Sequence, residues 1–348
     1  MYHVILAGGA GTRFWPYSRK SKPKQLLKII SDKSMIQMTV DRILQFSTME
    51  KIYIVASEDL CKLIYKEINI PKSNLLVEPK GRNTAPAIGL AAIHIYKKNP
   101  RAKMAIYPAD QIIENQNSFK DTIRLADEII EKKSSLMTIG INPKYPASGY
   151  GYIQYIDDDQ NYYKVKSFAE KPPVNTAIKF LESGDFLWNS GIFVWEAKLI
   201  LLEMKQYMPD LHESLSLIYD TIGTNNYKVV LNQEWELIDN ESIDYGILEK
   251  SSNVCTIKGE FEWIDIGSWK SVFDLMKKNK KNHFEGNIVT IDTSDSLIFS
   301  PDKLTAVIGM KDVIIVNLND ATLVMPMNRS EEVKKIVDMI SKEKDEYL

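Results

Sequence analysis

Only two cysteines, Cys61 and Cys255, occur in 348 residues, far apart and without a Cys-x-x-Cys pair. That pattern disfavours both a disulfide framework and a thiolate zinc site, and it suits a reducing cytoplasm. Histidine is nearly as scarce: His3, His94, His212 and His283 stand singly, outside any metal-ligand spacing. Most histidine-based metallohydrolase and triad chemistry is thereby set aside, and any metal is left to oxygen ligands. Charge of one sign is also lacking, with Lys+Arg 44 against Asp+Glu 46 and a formal net charge of -2. No global field attracts nucleic acid or an anionic membrane, so an anionic ligand needs a local cluster of cations. No apolar run approaches the roughly 18 residues of a membrane span, and the opening Val4–Ala7 run is too short for a signal peptide.

What is present is an ordinary globular composition, 44% hydrophobic and 26% charged, long enough for about two domains at roughly 150 residues each. Short apolar runs alternate with helical periodicity: strands at Val4–Ala7, Ile52–Ala56, Leu75–Val77, Met104–Tyr107, Leu136–Ile139 and Tyr163–Phe168, helices over Ala85–Lys97 and about Phe119–Lys132. This alternation predicts an α/β fold with a mainly parallel sheet, and motif residues fall just after strands, where open sheets bind ligands. A basic, non-periodic stretch at Lys277–Asn282 marks a boundary near residue 280, dividing 1–280 from a small β-rich domain, 281–348. That tail reads as Ile288–Ile291, Leu297–Phe299, Leu304–Ile308, Val313–Leu318 and Thr322–Met325, a stacked, solenoid-like module. A helix near Ser330 follows, with Val333, Ile336, Val337 and Ile340 on one face.

The first strand runs into Ala7-Gly8-Gly9-Ala10-Gly11-Thr12-Arg13, a loop whose glycines let backbone N–H groups approach a phosphate or a base. It matches neither the dinucleotide fingerprint nor the P-loop pattern. Lys24 follows eleven residues after Arg13, so one loop system can offer a bidentate cation and a point charge to one polyanion. Arg82-Asn83-Thr84 deliver a helix start, with Asn83 or Thr84 as N-cap, in a pattern that also suits nucleotide recognition. Asp110 and Asp265 sit at loop positions after Tyr107-Pro108-Ala109 and Trp263-Ile264, and two such carboxylates can hold Mg²⁺ completed by water and substrate phosphate. Glu170-Lys171 end a strand, and Asn189 lies beside Gly191. Neighbours on a strand end point to opposite sides, so Glu170 and Lys171 bind different groups unless the chain turns there. Ser242 reads as an N-cap with Asp244 favourably placed for the helix dipole. Trp188, Trp263 and Trp269 read as core or pocket wall.

Taken together, LAGGAGTRFWPYSR at 6–19, PKQLL at 23–27, EPKGRNTAPA at 78–87, PAD at 108–110, SGYGYIQ at 148–154, FAEKP at 168–172, LWNSGIF at 187–193, ESIDYGILEK at 241–250 and WIDIGSW at 263–269 resemble the sugar-1-phosphate nucleotidyltransferases. The GGAGTRFWP and GRNTAP pieces resemble the mannose/guanine branch of that family. The resemblance covers roughly residues 4–270, and it departs at Gln111, where the family usually has His. It implies a Rossmann-like, glycosyltransferase-A-like domain with a mixed, mainly parallel sheet and a small C-terminal β-helix-like domain. It also implies GTP and mannose 1-phosphate as substrates, Mg²⁺ as cofactor and a homodimer.

By the same resemblance, Arg13 and Lys24 hold the triphosphate, Asp110 and Asp265 bind the metal, and Lys171 orients the sugar phosphate. Ala7, Gly8, Gly9, Gly11, Thr12, Arg82, Asn83 and Thr84 line the nucleotide site, while Gly151, Glu170 and Asn189 serve the hexose. The same residues would suit a relative acting on another hexose or a heptose 1-phosphate. A non-catalytic GDP-mannose-binding regulatory protein would not need the full set of phosphate-transfer groups.

Overall fold

The computed structural model describes residues 1–9, 11–156, 161–277 and 281–348. The strands are β1 (Tyr2–Leu6), β2 (Ile52–Ser57), β3 (Leu75–Glu78), β4 (Lys103–Pro108), β5 (Gln111–Ile113), β6 (Leu136–Ile141), β7 (Tyr152–Ile156), β8 (Tyr163–Ala169), β9 (Phe186–Glu196), β10 (Val254–Lys258), β11 (Trp263–Asp265), β12 (His283–Ile291), β13 (Leu297–Ile308), β14 (Val313–Asn317) and β15 (Thr322–Pro326). The helices are α1 (Met35–Leu44), α2 (Glu58–Glu67), α3 (Thr84–Lys98), α4 (Gln116–Lys132), α5 (Val174–Ser183), α6 (Ala197–Tyr207), α7 (Pro209–Thr221), α8 (Tyr227–Leu237), α9 (Trp269–Lys277) and α10 (Val333–Glu343).

Contacts divide the chain into two compact units, and neither is one continuous stretch. The first comprises Met1–Gly8, Val40–Ala109 and Ile113–Trp263. Its nine-stranded sheet runs β3-β2-β1-β4-β9-β6-β10-β8-β7. β3, β2, β1 and β4 are parallel, whereas β9 enters antiparallel to both β4 and β6. The parallel strands are buried on both faces, as their unbroken apolar runs require. β1 lies between β2 and β4, so the crossovers depart in opposite directions there, and the loops after β1 and β4 leave from neighbouring carboxyl ends. One core gathers β-strand residues such as Val4 and Ile106 with α3, α6, α7 and Trp235 of α8.

The second unit comprises Gly9–Thr39, Asp110–Ile112 and Ile264–Leu348. In it β12, β13 and β14 pair in parallel, His283 opposite Leu297 and Leu297 opposite Ile314. The chain coils back alongside itself, and β15 closes the sheet antiparallel to β14. Phe14, Trp15 and Leu27 of the N-terminal loop share one core with Trp269, Phe299, Val316 and Val337. The Trp15 indole donates to the Tyr347 carbonyl at 2.8 Å, and Arg19 makes a two-pronged pair with Asp320 at 3.0 and 3.1 Å.

The expected strands and helices all occur, most of them extended by a few residues, but β1 ends at Leu6 rather than Ala7, β14 ends at Asn317 rather than Leu318, and the helix expected near Ser330 begins at Val333 after a 3₁₀ turn. The expected Leu297–Phe299 and Leu304–Ile308 strands form one element, β13. In α10, Val333 and Val337 are buried, but Ile336 is exposed, so the inward stripe is narrower than its periodicity suggests. The expected boundary near 280 lies outside the described residues, as do Lys278 and Asn279.

Candidate active site

In the second unit the glycine loop is shaped by close approach. Gly11 has φ 59°, and a Cβ there would strike Lys24, so the loop and the Lys24 turn fit only with glycine. Gln25 Nε2 donates to the Gly9 carbonyl at 3.0 Å, and the short turn Thr12–Phe14 begins directly after Gly11. Lys24 is buried, and its Nζ lies 2.5 Å from Asp110 Oδ2. Arg13 donates to the Gly267 carbonyl at 3.1 Å and pairs through Nε with Glu331 at 3.2 Å, an exposed contact that a polyanion can displace. β5 and β11 form a two-stranded ribbon, and the Glu114 N–H bonded to the Glu262 carbonyl shows that they run antiparallel. Asp110, just before β5, and Asp265, ending β11, therefore emerge at the same end of the ribbon.

No cluster of three or more His, Cys, Asp or Glu fit to hold a metal occurs among the described residues. Two aspartates without a third carboxylate, imidazole or thiolate suit a hard cation that keeps waters and takes phosphate oxygens, rather than a preformed cage.

In the first unit, Ala7 uses its N–H on the Val55 carbonyl at 2.9 Å, so this donor is taken up by the sheet. Gly8 faces Glu78 at the end of β3, and a Cβ on Gly8 would lie 3.2 Å from Glu78 Oε1. Burial pushes the Glu78 carboxyl up to about 7. Glu78 was visible in the sequence only as part of a motif; its signal is a charged residue closing an apolar strand. Asn83 caps α3, its Oδ1 accepting the Thr84 N–H at 2.9 Å, and Thr84 Oγ1 accepts the Ile243 N–H at 2.9 Å. Both polar groups hold structure, and Arg82 is tied to the Glu236 carbonyl at 3.1 Å.

A second cluster in this unit joins Gly151, Glu170, Lys171, Asn189 and Asp244. Lys171 adopts φ 46°, so the chain does turn at this point, and Lys171 pairs with Glu170 instead of diverging from it. Desolvation works against the Lys171 charge, yet the Glu170 partner leaves its ammonium above the usual range. A Cβ on Gly151 would meet Glu170 Oε2, so a larger residue there would displace that carboxylate. Asn189 lies within β9, and its Nδ2 donates to Asp244 Oδ1 at 2.7 Å. Tyr150 packs edge-on against Trp188 and Trp263, both buried, which makes those tryptophans wall rather than platform. Trp269 lies in the core.

The first unit's parallel half-sheet, with a glycine-rich loop after its first strand, is the architecture of a nucleotide-handling class. The chain belongs to the nucleotidyl transferase family, which matches residues 2–282, and a MannoseP isomerase/GMP-like beta-helix domain matches 286–340. It is 35% identical to a mannose-1-phosphate guanylyltransferase of Klebsiella pneumoniae, over 99% of this chain and 75% of that protein. It is 33% identical to the alginate biosynthesis protein AlgA of Pseudomonas aeruginosa, over 97% of this chain and 71% of that one. A solved Thermus thermophilus structure described as a mannose-1-phosphate geranyltransferase superposes with a TM-score of 0.89 at 26% identity, covering 98% of this chain and 99% of that one.

Proposed function

We propose that the chain transfers GMP from GTP to mannose 1-phosphate, giving GDP-mannose and pyrophosphate. The observation that carries this reading is the near-full-length match to guanylyltransferases acting on mannose 1-phosphate. An oxygen of the sugar phosphate attacks the α-phosphorus of GTP; that O–P bond forms as the bridging α–β P–O bond breaks and pyrophosphate leaves. The attacking phosphate is largely dianionic near neutrality, its second pKa being about 6, so no general base is required. The scarcity of histidine fits this chemistry. The work lies in positioning two polyanions and neutralising their charge.

Arg13 and Lys24 bind the triphosphate and the departing pyrophosphate. Gly8, Gly9, Gly11 and Thr12 take the phosphates on their backbone, with Ala7 as anchor and Arg82, Asn83 and Thr84 framing the nucleoside. Lys171 orients the sugar phosphate, and Glu170 and Asn189 take the hexose hydroxyls, with Gly151 leaving room for Glu170. Asp110 and Asp265 are the residues that would hold Mg²⁺, which when bound supplies neutralisation of phosphate charge. The free, buried Cys61 and Cys255 support a cytoplasmic setting, and no described helix is long and apolar enough to cross a membrane.

Glu78 supplies the guanine preference. An ionised carboxylate accepts hydrogen bonds from the N1–H and N2 amino group of guanine, whereas adenine offers an acceptor at N1 and would be repelled. In a pyrophosphate-release assay over several nucleotides and sugar phosphates, the pair GTP and mannose 1-phosphate is expected to react fastest. Glu78→Gln is expected to raise the KM for GTP about 10- to 100-fold; another preferred pair would overturn the reading. Glu78 also costs stability. Its raised pKa means that both folded and unfolded chains are protonated below about 4.5, so the penalty is absent there. It grows between 4.5 and 7 and is full above 7, at on the order of 3 kcal/mol. Glu78→Gln is therefore expected to melt higher than wild type at pH 8 and not at pH 4.5.

A homodimer is supported by the outer face of β12 and β13, where Val289, Ile291, Leu304 and Ile308 are exposed, because contiguous apolar surface of this kind marks association. Sedimentation of a single monomeric species at micromolar concentration would reject it.

A further inference from the structure

The segment Ser242–Tyr245 has no part in the proposed reaction so far, yet it is built with care. Thr84 Oγ1 accepts the Ile243 N–H at 2.9 Å, and Ser242 Oγ accepts the Tyr245 N–H at 3.2 Å, so the backbone on both sides of Asp244 is held. Asp244 begins a short helical segment, Asp244–Leu248, and its Oδ1 receives Asn189 Nδ2 at 2.7 Å. The other end of the Asn189 amide is equally constrained. Asn189 Oδ1 accepts the Gly191 N–H and the Thr138 hydroxyl, both at 3.2 Å. A backbone N–H can only donate, so it fixes Oδ1 on its side and turns Nδ2 toward the carboxylate.

The consequence is a count of donors and acceptors. The amide oxygen is occupied, one of the two amide hydrogens goes to Asp244, and a single N–H is left for a ligand. Glu170 and the second oxygen of Asp244 are acceptors, and Lys171 is a donor paired to Glu170. A sugar hydroxyl can accept from the Asn189 N–H and donate to a carboxylate at once, which is the pairing this arrangement favours.

We propose that Asp244 is a positioning residue of the hexose site: it locks the Asn189 amide in the orientation that leaves one donor for a sugar hydroxyl. The inference rests on the proposed hexose-phosphate site and goes beyond it by assigning a residue that acts through Asn189. Burial, reinforced by the Glu170 charge, raises the Asp244 pKa to about 6, while its backbone hydrogen bond, Asn189 and Lys171 favour the ionised form. Near neutrality it is the acceptor that Asn189 requires.

The test measures mannose 1-phosphate binding by calorimetry and pyrophosphate release for wild type, Asp244→Ala, Asn189→Ala and the double variant. Asp244→Ala, which removes the acceptor of the Asn189 amide, is expected to weaken mannose 1-phosphate binding and to lower kcat/KM for it roughly 10- to 100-fold, with the KM for GTP unchanged. The double variant is expected to be no worse than Asn189→Ala alone, because both changes disable one hydrogen-bonded unit. Asp244→Val, which also lacks an acceptor, is measured in parallel and carries the same expectation should the alanine variant melt early. An unchanged kcat/KM for the sugar phosphate, an equal rise in both KM values, or additive losses in the double variant would each overturn the proposal. Wild type that binds mannose 1-phosphate but releases no pyrophosphate would overturn the transfer reaction, and the binding arm would still decide the role of Asp244. Wild type that binds no mannose 1-phosphate would overturn both.

Discussion

Replacing Lys24 by alanine is expected to lower turnover about 100- to 1000-fold at saturating substrates, the loss found when one fixed donor to developing charge is removed. Lys24 meets the requirement for such a donor, a charge already in place before the reaction. Its side chain is only 8% exposed, its turn is anchored by buried Leu26 and Leu27, and Gly11 lies against its backbone. Its Nζ lies beside Asp110, a proposed metal ligand, so the phosphate charge would meet a cation that need not reorganise. Asp110 is a third exposed and can be rehydrated when its partner goes, so the variant is expected to remain folded. Arginine is not expected to rescue, because Gly11 and the Phe14 ring crowd the site. A thermal melt beside the rate measurement separates lost chemistry from lost fold. A variant with near-wild-type kcat would remove Lys24 from the catalytic set.

Asp265→Asn is expected to reduce turnover on the order of 10³-fold at low Mg²⁺, as loss of a cation worth several kcal/mol of charge stabilisation requires. Asparagine has nearly the same shape, and the backbone bond from the Gly267 N–H to the Asp265 carbonyl does not depend on the side chain. The ribbon of β5 and β11 is therefore expected to persist. A neutral amide is a poor ligand for a hard cation, so raising Mg²⁺ is expected to recover part of the rate. A titration curve that coincides with wild type would reject Asp265 as a ligand.

Much of the fold was legible because its strands are short, strongly apolar and bounded by turn residues. β1 to β4 and β6 stood out by these signals alone. β9 did not, although it bridges the parallel half of the sheet to the rest. Its Asn189-Ser190-Gly191 interruption looks like a loop, and only pairing with β4 and β6 holds it extended. The residue types of the site were legible too, but their partners were not. That Lys24 meets Asp110, that Glu78 faces Gly8 and that Asp244 accepts from Asn189 are long-range facts of packing. Spacing along the chain carries no trace of them. The turn at Lys171 illustrates the same limit, since a positive φ at a lysine is set by its surroundings rather than by its propensity.

The second unit draws on Gly9–Thr39 and on Ile264–Leu348, and Phe14, Trp15 and Leu27 find their core partners in the later stretch. During synthesis at about 5–20 residues per second, the first stretch waits roughly 10–45 s before residue 264 is made. Until then the loop that carries Arg13 and Lys24 has only Ile29, Met35 and, once made, Ile112 of its own core, and lacks Trp269, Phe299, Val316 and Val337. All nine strands of the first unit's sheet end by Lys258 and can pair while that loop is still unfinished. The stretch Gly9–Thr39, made early, is thus among the last to reach its final form, and the proposed nucleotide site would be completed late in the life of the nascent chain.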